Sequence, residues 1–141
     1  MFVNNFASSA DFASAWSILL ITCRYGERKN MSEKLIIWLL FAHWIADFVC
    51  QSDWMAQNKS KSNHALTIHC NIYGFIIGIM TWNILFGIFA MFIHFPVDYV
   101  TSRINSKLWA DKKVHWFFVG VGFDQWIHFV TLIILAKYLL H

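Results

Sequence analysis

The sequence predicts an all-α, polytopic membrane protein with four transmembrane helices in a compact bundle. Three observations lead there. Of 141 residues, 58% are hydrophobic and only 13% are charged, with 14 Phe and 8 Trp, whereas a soluble domain carries about a quarter charged residues. Four separate apolar stretches approach the roughly 20 residues that a helix needs to cross a bilayer. No stretch has the alternating rhythm of a barrel strand, and backbone polar groups cannot be left open in lipid, so helix is the default.

The spans run from about 35 to 50, 65 to 82, 84 to 100 and 117 to 136. The first and third are short enough to require local thinning or snorkelling at their ends. Only Asn83 lies between the second and third, which demands a tight turn. Residues 31–141 therefore form the expected four-helix transmembrane domain. Residues 1–30 stand apart: their apolar run from Trp16 to Cys23 is too short to span, and the charged block RYGERK follows, then a second methionine, Met31. They are expected to be an N-terminal extension, poorly ordered or resting on the membrane surface. Three cysteines, Cys23, Cys50 and Cys70, show no zinc-ribbon or disulfide spacing and read as small apolar residues.

Orientation follows from the loops. Segments 51–64 and 100–116 carry Lys59, Lys61, Arg103, Lys107, Lys112 and Lys113. Counted from Met31, the opposite side has only Lys34 and Lys137; with the extension it gains Arg24, Arg28 and Lys29. Short loops rich in Lys and Arg stay cytoplasmic, so 51–64 and 100–116 are assigned inside.

Polar residues recur within these spans at helical spacing. His43 and Asp47 lie four apart in HWIADF, His94 and Asp98 in HFPVD, and Asp124 and His128, reversed, in DQWIH; His69 and Tyr73 share the spacing in the second span. Residues four apart share a helix face. Because the fourth helix runs opposite to the first and third, the reversal puts all three aspartates nearer the cytoplasmic side. At about 1.5 Å per residue they lie within about 10 Å of it, with His43, His94 and His128 one turn deeper. Each intramembrane aspartate costs about 2.5–3.5 kcal/mol on insertion scales, and no Lys or Arg falls in the same layer of any span. Protonated histidines, protonated aspartates or a bound cation can supply the balance.

Imidazole and carboxylate together suit Zn, Mn or Fe, and facing helices can project such groups into one site. The seven expected ligands are His43, Asp47, His69, His94, Asp98, Asp124 and His128, enough for one or two divalent ions. Metal-bound water is a hydroxide source near neutral pH, and Asp47, Asp98 or Asp124 can act as general base. The bland alternatives are hydrogen-bonded His–Asp pairs that fasten the helices, and a proton relay or cation-binding site. Around the site, Gln51, Asp53, Lys59, Arg103 and Gln125 are the candidates to meet a substrate headgroup, with ordinary cytoplasmic charge as the competing explanation for the lysine. Pro96 frees the carbonyl of Phe92 and is expected to kink the third helix. Gly74 and Gly78 form a GxxxG, which serves either close packing inside the chain or a homodimer.

The string HWIADFVCQSDWMAQNK, then His69 with Tyr73, HFPVDYVTSR and DQWIH, resembles an uncharacterised family of small bacterial and phage membrane proteins, domain of unknown function 3307. The resemblance spans about residues 33 to 136. It implies a four-helix membrane fold, a start near Met31, and a bacterial inner-membrane location, without an established activity. The family's polar positions map onto His43, Asp47, Gln51, Asp53, Lys59, His69, His94, Asp98, Asp124, Gln125 and His128. The expected function is a metal-dependent hydrolase of a lipid or lipid-linked ester, with membrane lipid rather than nucleic acid as partner. The alternatives are a non-catalytic membrane interaction protein with structural His–Asp pairs and a proton- or cation-binding protein.

Overall fold

In the computed structural model, residues 31–140 are described; the expectations for residues 1–30 fall outside them. The described chain is all-helical. Its helices are α1 (Glu33–Trp44), which runs on into a π-helical turn (Ile45–Val49), α2 (Asp53–Asn58), α3 (Asn63–Met80), α4 (Ile84–Ala110) and α5 (Val114–Leu139).

Four helix starts are written in the sequence as N-caps. Ser32, Ser52, Ser62 and Asn83 accept hydrogen bonds from the backbone N–H of Leu35, Met55, Ala65 and Phe86. Each satisfies one of the donors that a helix N-terminus leaves open. The turn between α3 and α4 is tight, as expected, and holds Trp82 at φ 52°.

Two departures from the expected spans have physical causes. Segment 100–110 was expected as loop, yet it is the last third of α4. It contains no Gly or Pro, and its Thr101 and Asn105 continue the face of His94 and Asp98 at helical spacing. The turn to α5 is therefore only Asp111–Lys113, with Lys112 at φ 57°. Segment 51–64 likewise contains a short helix, α2. Pro96 sits inside α4, which continues through it to Ala110.

Two helices, α4 and α5, are long and apolar enough to cross a membrane. The other two expected spans fall short of that measure. α1 gives way to its π turn after 12 residues, and the 18 residues of α3 include Asn63, His64, Thr67, His69 and Asn71.

α1 lies against α3 and α5, α3 against α4, and α4 against α5. Away from α2 the core is apolar: Leu39, Ile77, Phe86, Ala90, Leu132 and Ala136 are buried together. The α3–α4 contact is close because it is glycine on glycine. A Cβ built on Gly87 would collide with the carbonyl of Gly74 and come within 2.7 Å of Gly78 Cα. Gly74 and Gly78 are thus used within the chain, and the face weighed for a homodimer is buried under α4.

Candidate metal centre

At the α2 end of the same helices the buried residues are polar. His43, Asp47, His69, His94, Asp98, Asp124 and His128 are each no more than 8% exposed. All seven expected ligands therefore converge on one buried layer, and three overlapping sets place their ligand atoms within 4.8 Å of one another: Asp47, His69, His94 and Asp98; His43, Asp47 and His128; Asp98, Asp124 and His128.

The first set has the dimensions of a coordination shell. His69 Nε2 lies 3.1 Å from Asp47 Oδ1 and 3.2 Å from Asp98 Oδ2. It lies 3.1 Å from His94 Nε2. His94 Nε2 in turn lies 3.5 Å from Asp47 Oδ1 and 3.6 Å from Asp98 Oδ2. A tetrahedral ion with bonds of about 2.0–2.1 Å sets ligand–ligand edges of about 3.3–3.4 Å. One proton on His69 Nε2 cannot serve Asp47 Oδ1, Asp98 Oδ2 and His94 Nε2 at once. Asp47 reaches this point from the π turn, where Cys50 N bonds back to Ile45 O. Such turns are frequent at functional sites.

His43 is held differently. Gln125 Nε2 donates to Asp47 Oδ2 at 3.0 Å and to Asp124 Oδ2 at 3.1 Å. A carboxylate only accepts, so the amide faces these two groups and Gln125 Oε1 is left for His43 Nε2, 3.0 Å away. His43 Nε2 must then carry the proton, and its Nδ1 accepts from the Tyr73 hydroxyl at 3.0 Å. Both nitrogens are used. In this arrangement His43 links Tyr73 to the amide that orients Asp47 and Asp124, a support that orients neighbouring ligands, while it also stands within one candidate metal group with Asp47 and His128. The Tyr73 ring stacks on His94 at 3.8 Å.

The charge balance contains a group that helical spacing did not place here. Lys59, at the end of α2, puts Nζ 2.9 Å from Asp98 Oδ2 and 3.9 Å from Asp47 Oδ1. Burial alone would push this ammonium down, but Asp98 and Asp47 outweigh it and hold the lysine above its ordinary range. The spans themselves bring no Lys or Arg to the aspartate layer, as expected; Lys59 enters it from the loop, because α2 folds back over the helix ends. Three carboxylates against one ammonium still leave two formal negative charges when the imidazoles are neutral.

A cavity of about 790 Å³ opens onto Asp47, Asp98, Asp124 and Lys59. Gln51, Lys61, Ser102 and Gln125 line its polar side, and Trp109, Phe117 and Phe118 its apolar side. Two expected headgroup residues are elsewhere. Asp53 is exposed in the first turn of α2. Arg103 donates to Tyr99 O and Asn63 Oδ1 and lies over the Tyr99 ring at 3.8 Å. Thr101, which donates to Asp124 Oδ1 at 2.5 Å, was missed; its position three residues after Asp98 was the available signal.

Fold and site together define a protein, all-helical over its described residues, whose buried heart is a His/Asp/Lys cluster under an open cavity. The family model described as Protein of unknown function (DUF3307) matches residues 35–141, and the chain belongs to that family. No curated protein and no solved structure matches the chain.

Proposed function

We propose that the protein is a metal-dependent hydrolase embedded in the membrane, acting on a lipid or lipid-linked ester at the cavity mouth. The observation that carries this reading is the near-tetrahedral spacing of Asp47 Oδ1, His69 Nε2, His94 Nε2 and Asp98 Oδ2, with Asp47 and Asp98 also lining the cavity. Asp47, His69, His94 and Asp98 would hold a divalent ion there, which would supply Lewis-acid and hydroxide chemistry for ester hydrolysis. Asp47, Asp98 and Asp124 hold the centre, and a carboxylate oxygen not engaged by metal serves as general base. Lys59 competes with the ion for Asp98; once displaced, its ammonium is free for an anionic headgroup together with Gln51, Lys61 and Gln125. The apolar wall of Trp109, Phe117 and Phe118 accepts an acyl chain.

The membrane setting rests on an inverted distribution of residues. Three aspartates and four histidines are buried, while Phe41, Trp44, Phe75, Ile79, Phe92 and Trp126 of the four long helices are exposed. In their most apolar stretches α4 is 28% buried and α5 17%, too little for core helices of a soluble domain and suited to lipid contact. We read α1, α3, α4 and α5 as four spans of a bundle, with the shorter α1 and α3 accommodated by thinning. By the distribution of Lys and Arg the α2 side is cytoplasmic, in a bacterial inner membrane.

A second reading is favoured by the Lys59–Asp98 contact: the cluster is a structural ion network and the protein acts by binding a membrane component. Elemental analysis of detergent-purified protein separates the two. The hydrolase reading expects stoichiometric Zn, Mn or Fe in the wild type and none in Asp98→Ala. It also expects ester cleavage in lipid vesicles that follows metal content. Wild-type protein that is folded and binds no added divalent ion would hand the site to the structural reading.

A further inference from the structure

We propose that the centre is dinuclear, with a second divalent cation held by Asp98, Asp124 and His128, and with Asp98 bridging the two ions. The inference rests on the metal reading above. His128 is 2% exposed, yet neither ring nitrogen has a hydrogen-bond partner. A buried imidazole with both nitrogens open is rare, because each lost bond leaves a full desolvation cost. Its Nδ1 faces Asp124 Oδ1 at 3.6 Å, too far for a hydrogen bond and close to the ligand–ligand edge of a metal shell.

The three overlapping sets decide which residues take the second ion. His128 belongs to two of them, one with His43 and Asp47, the other with Asp98 and Asp124. His43 is committed on both nitrogens, to Tyr73 and Gln125. That leaves Asp98, Asp124 and His128. Asp98 is shared with the first set, and a carboxylate offers two oxygens, which makes it the bridge.

Neighbouring groups already orient the second set. Thr101 and Gln125 each donate to one oxygen of Asp124, leaving each oxygen a further lone pair. The His94 and His128 rings stack at 4.1 Å, so ligands of the two ions lie side by side. Paired catalytic ions sit about 3.5–4 Å apart.

Manganese loading of the full chain in detergent provides the test. The wild type should bind two Mn²⁺ per chain and give an exchange-coupled electron paramagnetic resonance spectrum. Asp124→Asn and His128→Gln should each retain one Mn²⁺ with the six-line signal of an isolated ion, and their circular dichroism should match the wild type. His69→Gln should weaken the first site instead. A wild type that binds one ion only would overturn the dinuclear centre while sparing the single-metal reading, as would two ions retained in both Asp124→Asn and His128→Gln. A wild type that binds none would remove both readings.

Discussion

The two ends of these helices solve opposite problems. Away from α2, Leu39, Ile77, Phe86 and Ala136 fill the interior, and Gly87 lies against the backbone of Gly74 and Gly78. Nothing there needs a partner beyond close contact. One to two turns further, the same helices bury three aspartates and four histidines around a single lysine. The apolar end gains from dispersion and is complete in itself. The polar end is oriented by Gln125 and Tyr73 yet leaves both nitrogens of His128 open. A layer that were only a fastener would close its own hydrogen bonds; this one is organised and incomplete, which is the condition of a site that takes a ligand.

The contrast can be broken at either end. The largest effect is expected for Asp98→Ala, which removes a proposed metal ligand and strands the Lys59 ammonium. Leaving one partner of a buried ion pair costs about 3–5 kcal/mol, read as a lower melting temperature in detergent along with total loss of bound metal. Next comes Gly87→Leu. Its side chain would meet the backbone of α3, which cannot swing aside, and about 3 kcal/mol should be lost, near the upper end for overpacking. The metal content of whatever folds should be unchanged. If this variant also lost metal in its folded fraction, the two ends would not be independent.

Lys59→Met sharpens the polar end. Removing the ammonium that competes for Asp98 Oδ2 should tighten divalent binding by about tenfold, roughly 1.4 kcal/mol, in a titration with Zn²⁺ or Mn²⁺. On the structural reading the same change only destabilises. The pH dependence has a definite sign. Because Lys59 is held above its ordinary range in the folded protein, the Lys59–Asp98 pair contributes fully below the ordinary lysine value of about 10.4. That contribution fades as pH rises through the higher folded value. Thermal melts of wild type and Lys59→Met should therefore differ at pH 7 and converge only in strong alkali. The smallest effect is expected for Arg103→Ala. This side chain is tied to Tyr99 O and Asn63 Oδ1 at the surface, outside the cavity, and its loss should change stability by no more than about 0.5 kcal/mol with metal binding intact.

Much of this was legible in one dimension. The apolar stretches and the i, i+4 pairs His43/Asp47, His94/Asp98 and Asp124/His128 fixed which faces turn inward, and the N-caps Ser32, Ser52, Ser62 and Asn83, which went unread, mark the helix starts. These are local properties: a cap acts over three residues and a face repeats every 3.6. The reversal of the third pair even placed the aspartates at one depth. The length of α4 is readable too, in the stripe His94, Asp98, Thr101 and Asn105, although the apolar run stops ten residues before the helix does.

Other features depend on distances between segments far apart in the chain, which no local periodicity encodes. Helical spacing could not say that α2 folds back to set Lys59 beside Asp98, 39 residues on, or that Gln125 would meet His43 across 82 residues. The π turn that aims Asp47 is likewise a tertiary outcome, since HWIADFV is compatible with an ordinary helix. The sequence by itself determined which helix faces are polar, because that is a matter of residue order and pitch. Only the tertiary structure decided which polar atoms share protons and which are left open for a cation, because hydrogen bonds and coordination act over about 3 Å between atoms that folding alone brings together.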